Sequence, residues 1–236
     1  MNSFKREEIL MLLEKAAKVD SKCELFGAAV HQYILRPPIE VPVVRAIEEK
    51  YGFTLPEDYF RFITEVGNGG AGKDYGVYHF LHFFEKGYDP LEHLHHPDYE
   101  KFRASYLRRF AKSFEIRPMT AGEIQDTNFG DEVYEETPHN CFIYKHYEND
   151  ELFDEACNGF FVFGTPGCSG DYGIALNGEH RGKVFLTDEM AYILVADCFT
   201  EFYQRYLDSI SDLDELKRRV NLWRTKMKKY QNSNAQ

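Results

Sequence analysis

Cysteine is scarce in this sequence and shows no pairing. Cys23, Cys141, Cys157, Cys168 and Cys198 are odd in number and none belongs to a C-x-x-C pair. That argues against a disulfide framework and predicts reduced, mostly buried thiols in a cytosolic compartment. A long apolar run is missing too: nothing approaches the roughly 18 residues of a membrane span. Residues 1–8 carry charges of both signs that run straight into an amphipathic helix, which is not the pattern of a signal peptide. These absences predict a cytoplasmic protein with no membrane partner. Bases are outnumbered, 28 against 39 acids, for a net charge of −11. A phosphate-binding surface needs the opposite excess, which argues against nucleic acid as a direct partner. The balance instead suits a protein that engages a basic partner.

Aromatic residues are plentiful, with 20 Phe and 16 Tyr among 236 residues, enough for one sizeable core. Residues 1–210 are read as a single domain and residues 211–236 as an amphipathic helix docked on it or on a second copy. Ser3 caps a first helix carrying Ile9, Leu12, Leu13 and Ala16 at helical spacing. Residues 26–35 read as extended, closed by Arg36-Pro37-Pro38. A helix burying Val43, Ile47 and Tyr51 ends at Gly52, and Pro56 opens the next at its first position. That second helix carries Tyr59, Phe60, Phe62, Ile63 and Val66. The glycines after Val66 then lead into a predicted strand at 75–84.

Residues 85–97 form a polar connection. Residues 98–114 read as a helix burying Phe102, Tyr106 and Phe110, and 118–140 are the least regular part. Strands are expected at 141–144, 160–163, 172–176 and 183–186, the last two joined through Asn177-Gly178, a strong hairpin signal. Helices follow at 197–209 and along Leu213, Leu216, Val220, Trp223, Met227 and Tyr230. The fold class is α+β: a central antiparallel sheet flanked by N-terminal and C-terminal helices.

Two separated blocks carry a wider resemblance. The first holds Leu55-Pro56-x-Asp58-Tyr59, then Asn68-Gly69-Gly70-Ala-Gly72, then Tyr75-Gly76; the second holds Gly178-x-x-x-Gly182 and Phe202-Tyr203. In this order they resemble the SUKH superfamily, bacterial toxin-immunity proteins related to the fungal Smi/Knr-type cell-wall regulators. The resemblance implies an α+β fold, no catalytic centre, no cofactor, and a role in neutralising a protein toxin by binding it, with nucleases and deaminases common among the toxins. A regulatory or scaffold protein of the cell-wall-regulator type, binding endogenous partners, is the alternative.

Several residue groups invite sharper readings. Gly67 to Lys73 matches a phosphate loop except that Asp74 replaces its final hydroxyl residue. A helix precedes the loop and a strand is expected after it, the reverse of what a phosphate loop needs, so a helix cap and turn is the better account. His79 and His82, three apart on a regular strand, face opposite sides; with His93, His95 and His96 they form no recognisable zinc spacing. Cys168 near His180 reads as a small packed residue in a glycine-rich turn, not a nucleophile.

The acids are the strongest feature independent of resemblance. Between residues 123 and 155 eleven acidic side chains face the single base Lys145, a net of −10 in a chain whose total is −11. The candidate toxin-binding residues are Asp131, Glu132, Tyr134, Glu135, Glu136, Glu148, Asp150, Glu151, Phe153, Asp154 and Glu155. The acids steer a basic toxin domain and the aromatics anchor it, weighed evenly against a merely solvated pair of loops. The lysines and arginines of the last helix are read as solvated, with pairing to a second copy as the sharper alternative.

Overall fold

The computed structural model describes residues 5–84, 107–126, 140–145, 157–167, 170–188 and 191–233. Helix α1 (Arg6–Val19) buries Ile9, Leu13 and Ala16, the expected stripe, with Lys5 at its N-cap. The predicted cap, Ser3, lies outside the described residues.

The extended segment expected at 26–35 is not there. It contains a short helix, α2 (Ala28–His31), entered through Gly27 at φ +74° and left through Gln32 and Tyr33, both at positive φ. A Cβ on Gly27 would lie 1.9 Å from the Asp74 carbonyl oxygen, so the turn needs glycine there. One helical turn between left-handed residues gives an apolar pattern that resembles strand alternation.

Helix α3 (Val41–Tyr51) closes on Gly52 in the left-handed region, as expected. Its buried seam is shifted by one residue: Val44 is buried, whereas Val43 is 38% exposed and Ile47 and Tyr51 are half-buried. Glu48 takes a buried position on that seam because its carboxylate accepts the Leu55 N–H at 2.7 Å and the Arg45 guanidinium at 2.6 Å. Pro56 is the N-cap of α4 (Glu57–Arg61), one position before the place expected for it. The helix then loosens into a π-helical turn, Phe62–Val66; Tyr59, Phe60, Phe62, Ile63 and Val66 are buried as anticipated.

The strand expected at 75–84 is also absent. Within it only Val77 makes ladder contacts, and Phe80–Phe83 form a 3₁₀ turn that buries Phe80. The Asn68 carboxamide oxygen accepts the Phe80 N–H at 2.7 Å, which gives that backbone group a partner outside any ladder. Of the helix expected at 98–114, Phe102 and Tyr106 lie outside the described residues; Leu107 and Phe110 are buried, the latter in a 3₁₀ turn.

Six antiparallel strands form one sheet: β1 (Ile116–Pro118), β2 (Cys141–Tyr144), β3 (Phe160–Gly167), β4 (Gly170–Ala175), β5 (Val184–Asp188) and β6 (Ala191–Ala196). Their order is β1-β2-β6-β5-β4-β3. The Asn177-Gly178 hairpin joins β4 to β5 with Ile174 opposite Val184. Two strands escaped the sequence reading. β1 is short and ends in proline, and β6 is a continuous apolar run without the alternation that marks a strand. Beyond β3 the ladder continues by single bridges, Gly164 to Val77, Val77 to Gly70 and Gly70 to Leu35.

One sheet face meets the helices. Phe161, Phe163, Tyr172, Ile174 and Val184 pack there against Tyr59, Phe62, Phe199, Phe202 and Tyr203. The other face carries Phe160, Phe185 and Tyr192 under Phe114. Helix α5 (Ala121–Asp126) follows β1, and α6 (Phe199–Ser211) follows β6. α6 buries Phe199, Phe202, Tyr203, Tyr206, Leu207 and Ile210, a face already evident in the sequence. The last helix, α7 (Leu213–Ser233), lies against α1 and α6 through Leu216 and Val220, with Arg224 paired to Glu24. Trp223 is half-buried and Met227 is 37% exposed, so its seam fades towards the C-terminus. No described helix is long and apolar enough to cross a membrane.

Candidate interaction surface

The eleven residues proposed to bind a toxin, from Asp131 to Glu155, lie outside the described residues, as do Cys168 and His93 to His96. Their attachment points are described: residues 127–139 precede β2 and residues 146–156 follow it. Of the acids in that run, Glu123 is held within the fold. It accepts both guanidinium nitrogens of Arg117, at 2.6 and 2.9 Å, and the N–H of Thr120 at 2.7 Å, while Thr120 Oγ1 accepts the Glu123 N–H at 3.3 Å. That reciprocal pair is a capping box at the start of α5.

The motif residues bond within the fold. Leu55 is buried, and its carbonyl accepts from Arg181 at 3.0 Å, tying the first block to the β4–β5 hairpin. Gly178 and Gly182 supply positive φ in that hairpin. Asp58 caps α6 through the Thr200 N–H at 2.9 Å. Tyr59 is fully buried against Phe199, with ring centroids 4.8 Å apart. The Tyr203 hydroxyl donates to the Ala71 carbonyl at 3.0 Å, and Phe202 packs on Phe163.

The glycine loop is closed and not a cradle. Gly70 (φ +104°) bonds Val77 in both directions, and a Cβ on it would meet the Ile34 carbonyl oxygen at 2.2 Å. Gly69 and Gly76 likewise lie against backbone, and the Gly72 Cβ position lies 2.8 Å from Val77. Lys73 pairs with Asp74 at 3.0 Å, and Asp74 also accepts the Tyr172 hydroxyl at 2.7 Å. No room is left for a phosphate.

The histidine expectation needs correction. Because residues 80–83 form a 3₁₀ turn, His79 and His82 do not point to opposite faces of a strand; their rings are 5.8 Å apart. Burial, aided by the charges of Arg36 and His82, pushes the His79 imidazole down to about 4. Among the described residues no three His, Cys, Asp or Glu side chains converge to hold a metal ion.

Two concavities flank α2. The larger, about 760 Å³, lies between α2 and the β6–α6 junction. Of its charges, Lys73 pairs with Asp74 and Arg205 with Glu201 at 2.6 Å, while Arg219 bonds the Ser209 carbonyl at 3.0 Å. The other, about 660 Å³, is a groove whose floor includes Gly70 and Val77. One bank comes from Val30, Ile34 and Arg36, the other from Tyr75, Tyr78, His79 and His82. Val30 and Ile34 are 64% and 60% exposed, high for β-branched apolar residues, and the neighbouring Phe26, 51% exposed, sits edge-on to Tyr75. Phe26, Val30 and Ile34 recur every four residues, a signal present in the sequence but masked by the extended reading.

Comparison with known families places most of this framework. The model of the SMI1 / KNR4 family (SUKH-1) matches residues 43–205. No curated protein and no solved structure matches the chain.

Proposed function

The chain belongs to the SMI1 / KNR4 family (SUKH-1), and on that premise we propose that it is an immunity protein that binds a protein toxin domain and neutralises it by occlusion, without catalysing a reaction. The observation that carries this reading is the match over residues 43–205. The motif side chains within that span bond to the fold itself, as Asp58 does to α6 and Tyr203 to Ala71. Recognition then falls to surface segments outside the motif.

In this reading the acids from Asp131 to Glu155 steer a basic toxin domain into contact, and Tyr134 and Phe153 anchor it. Blocking a basic nucleic-acid-binding surface would inhibit a nuclease or deaminase directly. Co-expression with a toxin domain encoded beside this chain is expected to restore growth and yield a stable complex. Growth arrest despite soluble immunity protein would defeat the proposal for that toxin. Charge reversal at Glu132, Glu135, Glu148 and Glu151 should slow association and flatten its salt dependence. Unchanged rates would remove the acidic face from the mechanism. Recovery of endogenous proteins in place of a toxin would favour the regulatory role.

A further inference from the structure

Arg36 is an exposed cation with no carboxylate partner among the described residues of an acidic chain. Several other described arginines pair with carboxylates: Arg45 with Glu48, Arg61 with Glu65, Arg117 with Glu123, Arg205 with Glu201 and Arg218 with Glu215. Arg36 has no ion pair among the described residues, although the chain offers 39 acids against 28 bases. It stands on the bank of the 660 Å³ groove, next to Val30 and Ile34 and across from Tyr75 and Tyr78. The bank is fixed in place from below, because Gly70 bonds through its bridge to Leu35 and admits no side chain beneath Ile34. A guanidinium with no carboxylate partner among the described residues, beside the exposed Val30 and Ile34 and the half-buried Tyr75 and Tyr78, is complementary to a carboxylate next to an apolar side chain.

We propose that this groove seats an extended polypeptide segment of a protein partner, placing an aliphatic or aromatic side chain against Val30 and Ile34 and a carboxylate on Arg36. The inference rests on the reading that the chain acts by binding a protein. It adds a second contact of opposite charge preference to the acidic segment. A partner meeting both would present a basic surface and, apart from it, an acidic-apolar strand, which sets both register and identity.

The probes are three short fluorescein-labelled peptides: one alternating leucine and glutamate, one alternating leucine and lysine, and one alternating serine and glutamate. Anisotropy titration against the full chain is expected to favour the leucine–glutamate peptide. Arg36→Glu should weaken that peptide at least about tenfold and reverse the preference towards leucine–lysine. Ile34→Asp should weaken it comparably while leaving the circular dichroism unchanged, since both side chains are exposed. No binding of leucine–glutamate at millimolar concentration, or equal binding by Arg36→Glu, would overturn the proposal. A dimer of the chain that dissociates on Arg36→Glu would assign the groove to a second copy and overturn it as well. With a toxin in hand the two readings separate. A complex that tolerates Arg36→Glu and Ile34→Asp refutes the groove and leaves immunity standing. Peptide binding without any toxin complex keeps the groove and refutes immunity to that toxin.

Discussion

The Asp58 carboxylate accepts the backbone N–H of Thr200 at 2.9 Å across 142 residues of sequence. The first turn of α4 thereby caps the N-terminus of α6, whose own N-cap residue, Cys198, makes no side-chain capping bond. The Leu-Pro-x-Asp-Tyr motif thus joins the two helices whose aromatic side chains pack together on one face of the sheet. Asp58→Ala is expected to lower stability by about 1 kcal/mol. Asp58→Asn, which keeps an acceptor, should restore most of it. Urea midpoints for the two variants decide the point, and an unchanged midpoint in the alanine variant would refute the cap.

Two buried tyrosines on either side of that junction should behave oppositely. The Tyr59 hydroxyl is buried and has no hydrogen-bond partner among the described residues, whereas that of Tyr203 donates to the Ala71 carbonyl. Removing an unsatisfied polar atom relieves a desolvation penalty, while removing a donor orphans its acceptor. Tyr59→Phe should leave the melting temperature unchanged or raise it. Tyr203→Phe should lower stability by about 1 kcal/mol.

Glycine substitutions should likewise split by site. Gly70→Ala places a methyl group 2.2 Å from the Ile34 carbonyl oxygen at φ +104°. A loss of more than about 2 kcal/mol is expected, with the bank of the groove displaced. Gly122→Ala, in α5 with nothing within 4 Å of the added carbon, should stabilise by up to about 0.5 kcal/mol. Paired denaturation curves test the contrast.

Acid should destabilise the protein through His31. Burial pushes its imidazole down to about 4, against the opposing pull of Asp20. Its Nδ1 accepts the Tyr33 N–H at 3.0 Å and can do so only while unprotonated. The unfolded chain takes up that proton near pH 6.5. Between about 6.5 and about 4 the unfolded state therefore binds more protons, and stability falls as pH falls through that window. Folding free energies measured across it should drop less steeply in His31→Asn than in the parent. Parallel curves would show that His31 does not contribute.

Legibility followed the range of each interaction. The stripe of α1, the buried face of α6, the Asn177-Gly178 hairpin and the closure of α3 on Gly52 rest on neighbours a few residues apart, and their residue patterns state them directly. The errors at 26–35 and 75–84 share one cause. The Asp74 carbonyl leaves no room for a side chain at Gly27, and Phe80 is engaged by the side chain of Asn68, partners that no window on either segment contains. β6 was missed because a strand buried on both faces has no alternation to read.

Composition and local pattern alone determined an acidic α+β chain, its hairpin, its aromatic helix faces and the two motif blocks that identify its family. Tertiary structure decided what those blocks do. Asp58, Leu55 and Tyr203 act on partners more than a hundred residues away, and the single bridges from Leu35 through Gly70 and Val77 to Gly164 bring three distant stretches of chain into one ladder. The groove beside Arg36 exists only because that ladder closes. Its residues are ordinary in sequence, and their juxtaposition follows from non-local backbone hydrogen bonds that no periodicity encodes.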